Sequence, residues 1–138
     1  MPTVDRFEDL EIWKLARELV RIVYGMTRKP AFSKDYGLKD QIQRSSVSIM
    51  NNTAEGFECR TVKRFIDYLG RSKGSAGETR SMLYVASDCT YITKDEFDKA
   101  YEKCITLSKK IQRFIQYLES YNSNNRIEEV MIEYKVES

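Results

Sequence analysis

The stretch QIQRSSVSIMNNTAEG, residues 41–56, decides the fold because it carries two helical periodicities at once. One row recurs at the spacing of a core-facing helix surface: Leu38, Ile42, Ile49 and Thr53. The adjoining row, termed the polar stripe, consists of Gln41, Arg44, Ser48, Asn52 and Glu55. Solvated helix faces are usually covered by Lys and Glu, whereas short or forked hydrogen-bonding groups suit a packed interface. The stretch therefore predicts a helix with a polar contact face beside its core face.

The chain before this stretch predicts a first helix and the start of the second. The first helix spans 7–27, with Asp5 as its N-cap and Glu8 three residues further on, and Pro30 ends it. The second helix begins between residues 33 and 36. It ends at Gly56, which tolerates the left-handed conformation of a C-terminal cap.

The chain after this stretch predicts two more helices. The third spans 61–90 on a seven-residue apolar repeat, and its GRSKGSAG segment, residues 70–77, contains three glycines. Tight helix contact or a bend would offset the cost of these glycines, and a break into two helices is the alternative. The fourth helix begins at Thr93, and Glu96 completes a capping box.

Short connections between four amphipathic helices predict one all-α domain, an up-down-up-down four-helix bundle over residues 1–121. Residues 122–138 form the tail, which is acidic: residues 119–138 contain five Glu against one Arg and one Lys, a net charge of −3. A linker is expected at 122–125, and strand-like alternation follows it: Val130, Ile132, Tyr134 and Val136. A lone strand is unstable in water, so the tail is expected to be flexible, with helical packing on its own bundle or extended pairing with another chain as alternatives.

The composition argues against catalysis. The 138 residues contain no histidine, the commonest general base and metal ligand, so no enzyme, metal site or cofactor is expected. The three cysteines form no CxxC pair and are expected to be reduced packing residues. The start of the sequence, MPTVDRFEDL, lacks the features of a secretory signal, and no run is long enough to cross a membrane. Together these features predict a cytoplasmic protein.

Three segments carry a family resemblance: FEDLEIWKLA, YGLKDQIQRSSVSIMNNTAEGFE and SKGSAGETRSMLYVASDCTYI. They resemble the four-helix-bundle proteins encoded in intervening sequences of bacterial 23S ribosomal RNA genes, over about residues 7–120. The resemblance implies a ring-like homopentamer. It also implies kinship with the accessory variability protein of diversity-generating retroelements, which works with a reverse transcriptase and nucleic acid. Ser45 and Ser46 replace alanines frequent in the family, and Met50 replaces a frequent proline.

Two groups of site residues follow from the sequence. Arg44 of the polar stripe is expected to pair with Glu78 or Glu55 in an interhelix or subunit-interface network, which we expect to be structural and not a ligand site. The nucleic-acid-binding candidates, expected near one end of the bundle, are Arg60, Lys63, Arg64, Lys110 and Arg113. The alternative reading of these charges is solubility and complementation of the helix dipoles, since the net charge is only +2.

The predicted function is therefore that of a non-catalytic oligomeric accessory of RNA or a nucleoprotein, such as a reverse transcriptase complex. A protein-binding scaffold without nucleic-acid contact is the alternative. A small-molecule enzyme would require an enclosed cavity with converging carboxylates.

Overall fold

The structure of the chain, a computed structural model, describes residues 4–131. A single 3₁₀ turn, Phe7–Asp9, precedes five α-helices. These are α1 (Glu11–Thr27), α2 (Pro30–Ser33), α3 (Tyr36–Glu58), α4 (Val62–Asp88) and α5 (Lys94–Glu119). The short helix α2 lies in the connection between α1 and α3. The four long helices confirm the predicted all-α fold.

The long helices pack in a closed order in which α1 and α4 each contact both α3 and α5. Ion pairs give the direction of α1 relative to α5. Lys29, just after α1, pairs with Glu96 near the start of α5, whereas Glu11 at the start of α1 pairs with Lys110 late in α5. These two helices are therefore antiparallel, as an up-down-up-down bundle requires. Fully buried side chains from every long helix fill the centre, among them Leu19, Ile49, Leu83 and Leu107.

Local capping signals explain where three of the four long helices begin. Asp35 accepts a hydrogen bond from the Leu38 amide at the start of α3, and Thr61 accepts one from the Arg64 amide at the start of α4. The predicted capping box at Thr93 and Glu96 is confirmed, with both reciprocal bonds formed.

Helix α1 begins later than the sequence predicts. Leu10 occupies its N-cap without a side-chain bond, and the predicted cap at Asp5 precedes a separate 3₁₀ turn. Burial of Leu10 and the edge-to-face contact of Phe7 with Trp13, at 5.3 Å between ring centroids, hold this turn against the bundle. Pro30 does not end α1, which stops at Thr27, but opens α2, where a missing N–H does no harm.

The glycines do not have their predicted roles. Gly56 lies inside α3 with an ordinary helical φ, and a Cβ placed there would meet Tyr68 Cβ at 2.7 Å and Phe65 Cδ1 at 2.9 Å. It is therefore a close-approach residue and not a C-cap. The left-handed positions are instead Arg60 (φ 65°) and Thr90 (φ 57°), which follow α3 and α4.

The three glycines of the GRSKGSAG segment face outward on an unbroken α4. A Cβ at any of Gly70, Gly74 or Gly77 would meet nothing within 4 Å. Tight contact within this chain, which the sequence predicts as the offset for these glycines, is therefore wrong, and so is the break into two helices.

The packed part of the chain extends beyond the predicted boundary at residue 121. Residues 127–131 are helical, and Ile127, Val130 and Met131 are buried on the bundle. Residues 127–131 therefore follow the alternative in which the tail packs as a helix on its own bundle. Their apolar side chains contact a surface of the bundle that the sequence pattern does not reveal. The strand-like alternation at 132–136 lies outside the described residues.

Candidate functional site

A row of hydroxyl groups, buried except for the half-buried Ser48, joins α3 to α4. Ser45 Oγ lies 2.7 Å from Thr79 Oγ1, Ser48 Oγ accepts from Ser75 Oγ at 3.0 Å, and Thr53 Oγ1 lies 3.1 Å from Ser72 Oγ. We term these six residues the hydroxyl seam. The short side chains let the helices approach closely, and Gly56 continues the same close contact toward the end of α3. Ser45 and Ser48 were recognisable in the sequence as small contact residues.

Backbone carbonyls complete the hydrogen bonding of the seam. Ser72 Oγ donates to the carbonyl of Ile49 at 3.1 Å, across the helix interface, and Thr79 Oγ1 donates to the carbonyl of Ser75 at 2.9 Å. Among the described residues, no buried side-chain nitrogen or oxygen lacks a hydrogen-bond partner. The seam is thus a satisfied structural network and offers no unpaired polar atom to a ligand. The sequence signal that was missed is the spacing of Ser72, Ser75 and Thr79, three and then four residues apart on one helix face.

The polar stripe is only partly drawn into this network. Ser48 joins it directly, and Asn52 Nδ2 donates to Ser48 Oγ at 2.8 Å. Gln41 and Glu55 are exposed on α3, and Glu78 is exposed on α4. The structure brings Ser48 and Asn52 together and leaves the charged members at the surface.

Arg44 does not have the predicted partner within the chain. Its guanidinium Nε pairs with Asp40 Oδ2 at 2.9 Å, one helical turn earlier, and its side chain is 79% exposed. The prediction of an intrachain pair with Glu78 or Glu55 is therefore wrong, because the guanidinium of Arg44 pairs with Asp40, four residues earlier on the same helix. A role for Arg44 between subunits stays a prediction.

Two open grooves flank the polar stripe. The larger, of about 560 Å³, is lined on one side by Tyr24 of α1 and on the other by α3 residues including Arg44, Asn51, Asn52 and Glu55. The smaller, of about 280 Å³, runs toward α4, where Ser75, Glu78 and Met82 line it. Arg44 and Ser48 line both grooves, so the outer face of α3 is one continuous polar surface.

The connection from α3 to α4 and the first turn of α4, together termed the basic turn, carry Arg60, Lys63 and Arg64. Lys63 and Arg64 are exposed, and neither forms an ion pair with a residue in the range 4–131. Arg60 is held differently. Its guanidinium pairs with Glu128 at 3.3 Å and Glu58 at 3.7 Å and lies 4.7 Å from the centroid of the Phe57 ring.

The two α5 candidates also differ from each other. Lys110 Nζ pairs with Glu11 at 2.6 Å, and Lys103 pairs with Glu18 at 3.5 Å. With Lys29 and Glu96, these pairs cross the edge between α1 and α5, which we term the ionic seam. Arg113 is exposed and has no ion-pair partner in the described part of the chain. Of the five predicted nucleic-acid candidates, Lys63, Arg64 and Arg113 thus carry cations not engaged by a described carboxylate.

Two features of the described residues bear on metal and thiol chemistry. They contain no group of three or more Cys, Asp or Glu placed to hold a metal ion. Burial raises the pKa of the Cys104 thiol to about 12, which keeps it protonated and unreactive near neutral pH. No helix of residues 4–131 is long and apolar enough to cross a membrane.

Comparison with known proteins bears on these arrangements. The model of the family described as 23S rRNA-intervening sequence protein matches residues 8–113. A crystal structure of a protein with unknown function from the S23 ribosomal protein family of Bacteroides thetaiotaomicron is similar, with a TM-score of 0.69 and 25% sequence identity. The match covers 75% of this chain and 97% of that one. A search of curated proteins found no match. Since the family model spans the polar stripe, the basic turn and most of all four long helices, the chain belongs to the 23S rRNA-intervening sequence protein family.

Proposed function

We propose that the chain is a non-catalytic accessory of RNA or of a nucleoprotein and that it contacts phosphates through the basic turn. The observation that carries the proposal is the exposure of Lys63 and Arg64 on one turn with no described carboxylate paired to either. Unpaired surface cations can neutralise phosphates and release counterions, which is the main source of sequence-independent affinity for nucleic acid. Arg113 is a further candidate on α5, whereas Arg60 and Lys110 would first have to leave their ion pairs.

Assembly strengthens the proposal. The resemblance noted in the sequence implies a homopentamer related to a protein that works with a reverse transcriptase, and five copies of the basic turn would bind one RNA with avidity. Linked weak contacts raise overall affinity by orders of magnitude without any new contact, provided that the geometry lets them engage together. In such an assembly a net charge of +2 per chain is enough for RNA binding, because the positive charges that contact phosphate are concentrated at the basic turn.

The test is fluorescence anisotropy of a structured RNA and a matched duplex DNA from about 50 to 200 mM salt. The test variant is Lys63→Gln with Arg64→Gln. Its matched control is Lys14→Gln with Arg17→Gln, which removes the same residue types from the exposed face of α1. We expect the test variant to reduce the slope of log affinity against log salt by about 1.4 to 1.8 for each copy of the basic turn that contacts the RNA. The control variant should change that slope little.

Two outcomes would reject the basic turn as the binding surface. Equal losses in both variants would mean that binding follows overall charge. Absence of binding at the lowest salt, both in the unmodified chain and in a Glu128→Gln variant that removes the closer partner of Arg60, would reject the nucleic-acid proposal and leave the scaffold function.

The polar stripe is the proposed contact between subunits. Its exposed Arg44 and two flanking grooves form a hydrogen-bonding surface suited to a second polar surface. Arg44→Glu should lower the oligomer mass measured by light scattering. Arg21→Glu, an equivalent reversal on the exposed face of α1, is the control and should leave the mass unchanged.

A protein-binding scaffold is the second candidate, favoured by an exposed aromatic patch. Tyr84 is 51% exposed and Val85 is 45% exposed near the end of α4. Tyr84 contacts Phe97 edge-to-face at 5.1 Å, which holds the ring in place for a partner. Tyr84→Ser should weaken the binding of a protein partner and leave RNA binding unchanged.

A further inference from the structure

The segment of residues 122–131, termed the C-terminal segment, is attached to the basic turn by backbone hydrogen bonds. The amides of Val62 and Lys63 donate to the carbonyls of Asn125 and Ser123, at 3.0 and 3.2 Å. In the opposite direction, the amide of Ile127 donates to the carbonyl of Arg60 at 3.0 Å. The segment therefore lies directly across the residues proposed to contact phosphate.

Side chains fix the segment in this position. Ile127, Val130 and Met131 are buried, and Tyr117 Oη of α5 donates to the carbonyl of Val130 at 2.6 Å. Burial of three apolar side chains supplies the larger part of the docking free energy, and the tyrosine bond sets the position of the helical turn.

The segment also brings a carboxylate to the basic turn. Glu128 Oε1 lies 3.3 Å from Arg60 Nη1, and Glu128 Oε2 lies 3.6 Å from Arg126 Nε. Arg60 is thereby the cation of the basic turn that is already neutralised, while Lys63 and Arg64 keep their charge toward solvent. A phosphate approaching Arg60 would have to displace Glu128.

We propose that the C-terminal segment is an autoinhibitory latch, in which docked Glu128 occupies Arg60 and lowers the affinity of the basic turn for RNA phosphate. This regulation rests on the proposed function. The C-terminal segment lies outside residues 8–113, the part of the chain that the family model matches. Undocking of the segment releases Arg60 from Glu128, leaving only the longer pair with Glu58 at 3.7 Å, and removes a negative charge from the binding surface in one step.

The experiment compares three full-length variants with the unmodified chain, using anisotropy of the same structured RNA. Glu128→Gln removes the carboxylate from Arg60. Tyr117→Phe removes the bond to the Val130 carbonyl without changing any charge. Glu129→Gln is the matched control, because Glu129 is exposed beside Glu128 and makes no ion pair with a described residue.

Release of Arg60 from Glu128 adds about one phosphate contact per chain. For each copy of the basic turn that contacts the RNA, Glu128→Gln should therefore raise the affinity about fivefold near 0.1 M salt and steepen the salt slope by about 0.7 to 0.9. Tyr117→Phe should also bind RNA more tightly than the unmodified chain does. It should also show faster hydrogen exchange at the amides of Val62, Lys63 and Ile127. Glu129→Gln should stay within about twofold of the unmodified chain.

Each result separates the latch from the proposed function. RNA binding that depends on Lys63 and Arg64 but is the same in Glu128→Gln, in Glu129→Gln and in the unmodified chain would overturn the latch and keep the proposed function. Equal gains in those two variants would assign the effect to net charge and also overturn the latch. Binding only after Glu128→Gln or Tyr117→Phe would support both proposals, whereas no binding by any variant would overturn both.

Discussion

The hydroxyl seam and the ionic seam join helices of the same bundle by opposite means. Between α3 and α4, short neutral side chains meet in the interior at distances such as the 2.7 Å between Ser45 and Thr79. Between α1 and α5, long charged side chains meet at the surface, where the Glu11 carboxylate paired with Lys110 is 63% exposed. The hydroxyl seam permits close packing of the backbones of α3 and α4, and the ionic seam bridges the separation between α1 and α5 at the bundle surface.

The difference teaches where sequence changes should matter. A buried hydrogen bond stabilises the fold modestly, but removal of one partner leaves a desolvated group that costs about 1–3 kcal/mol. An exposed ion pair gains little because water already solvates both charges, and its median contribution is about 0–1 kcal/mol. The four predictions below therefore decrease in size from the close contact between α3 and α4 to the rim between α1 and α5.

The largest effect is expected at Gly56. Gly56→Ala places a Cβ about 2.7 Å from Tyr68 Cβ, and the helices must separate to accept it, so the free energy of unfolding should fall by about 3 kcal/mol. The control is Gly74→Ala, which meets nothing within 4 Å and should raise stability by about 1 kcal/mol. Chemical denaturation measures both changes. Similar effects of the two alanines would contradict the close-approach role of Gly56.

The second effect concerns the shortest hydroxyl contact of the seam, between Ser45 and Thr79. Thr79→Val keeps the shape but removes the oxygen facing Ser45, and we expect a loss of about 1–2 kcal/mol. In the double variant with Ser45→Ala both partners are apolar, so the combined loss should be smaller than the sum of the single losses. A double-mutant cycle measured by denaturation gives this coupling. Strict additivity would mean that the two hydroxyls do not interact.

The third effect lies at the most shielded end of the ionic seam and depends on pH. Hydrogen bonds from Lys29 and from the Thr93 backbone lower the pKa of Glu96 below its ordinary value. The folded state then binds fewer protons than the unfolded state. The stabilisation is therefore complete above the ordinary glutamate pKa and is lost as pH falls through the lower folded-state value.

Glu96→Gln should flatten this acid-side decline in stability, with a change under about 1 kcal/mol at neutral pH. Thermal unfolding from neutral to acidic pH measures the decline. Glu102→Gln, an exposed position on the same helix with no described ion pair, is the control and should leave the decline in place. A parallel decline in all three proteins would reject the Glu96 contribution.

The smallest effect is expected at Lys110. Lys110→Gln removes the pair with Glu11 and should change the free energy of unfolding by less than about 0.5 kcal/mol. The change should vanish in about 1 M salt, where the Debye length is near 3 Å. A loss as large as that of Thr79→Val would erase the distinction between the two seams.

The fold was predictable because its signals are local. Each of these signals is formed by residues close together in the sequence: the capping box at Thr93 and Glu96, the apolar rows within each helix and the short connections between helices. The role of Gly56 was not predictable, because the atoms that exclude a side chain there belong to α4. A glycine near a helix end looks the same in sequence whether it ends the helix or lets another helix approach.

The candidate site was only partly predictable for a similar reason. The basic turn is visible in the sequence, but the distinction between occupied Arg60 and unoccupied Lys63 depends on Glu128, which is 68 residues away from Arg60. The partner of Arg44, in contrast, is its i−4 neighbour Asp40 and could have been read from the sequence. Polar side chains in general bond to whichever partner packing brings near, so long-range pairs are the least accessible to pattern reasoning.

The order of charges along the ionic seam has a consequence for topology that stability measurements do not report. Along α1 and the connection that follows it the order is Glu11, Glu18 and then Lys29, while on α5 it is Glu96 first, followed by Lys103 and Lys110. A reversed, parallel placement of the two helices would set Glu11 near Glu96 and Lys29 near Lys110. Like charges would then face each other at both ends. Pairs that barely strengthen the correct bundle can thus discriminate against the inverted one, and their value lies in the arrangement they forbid.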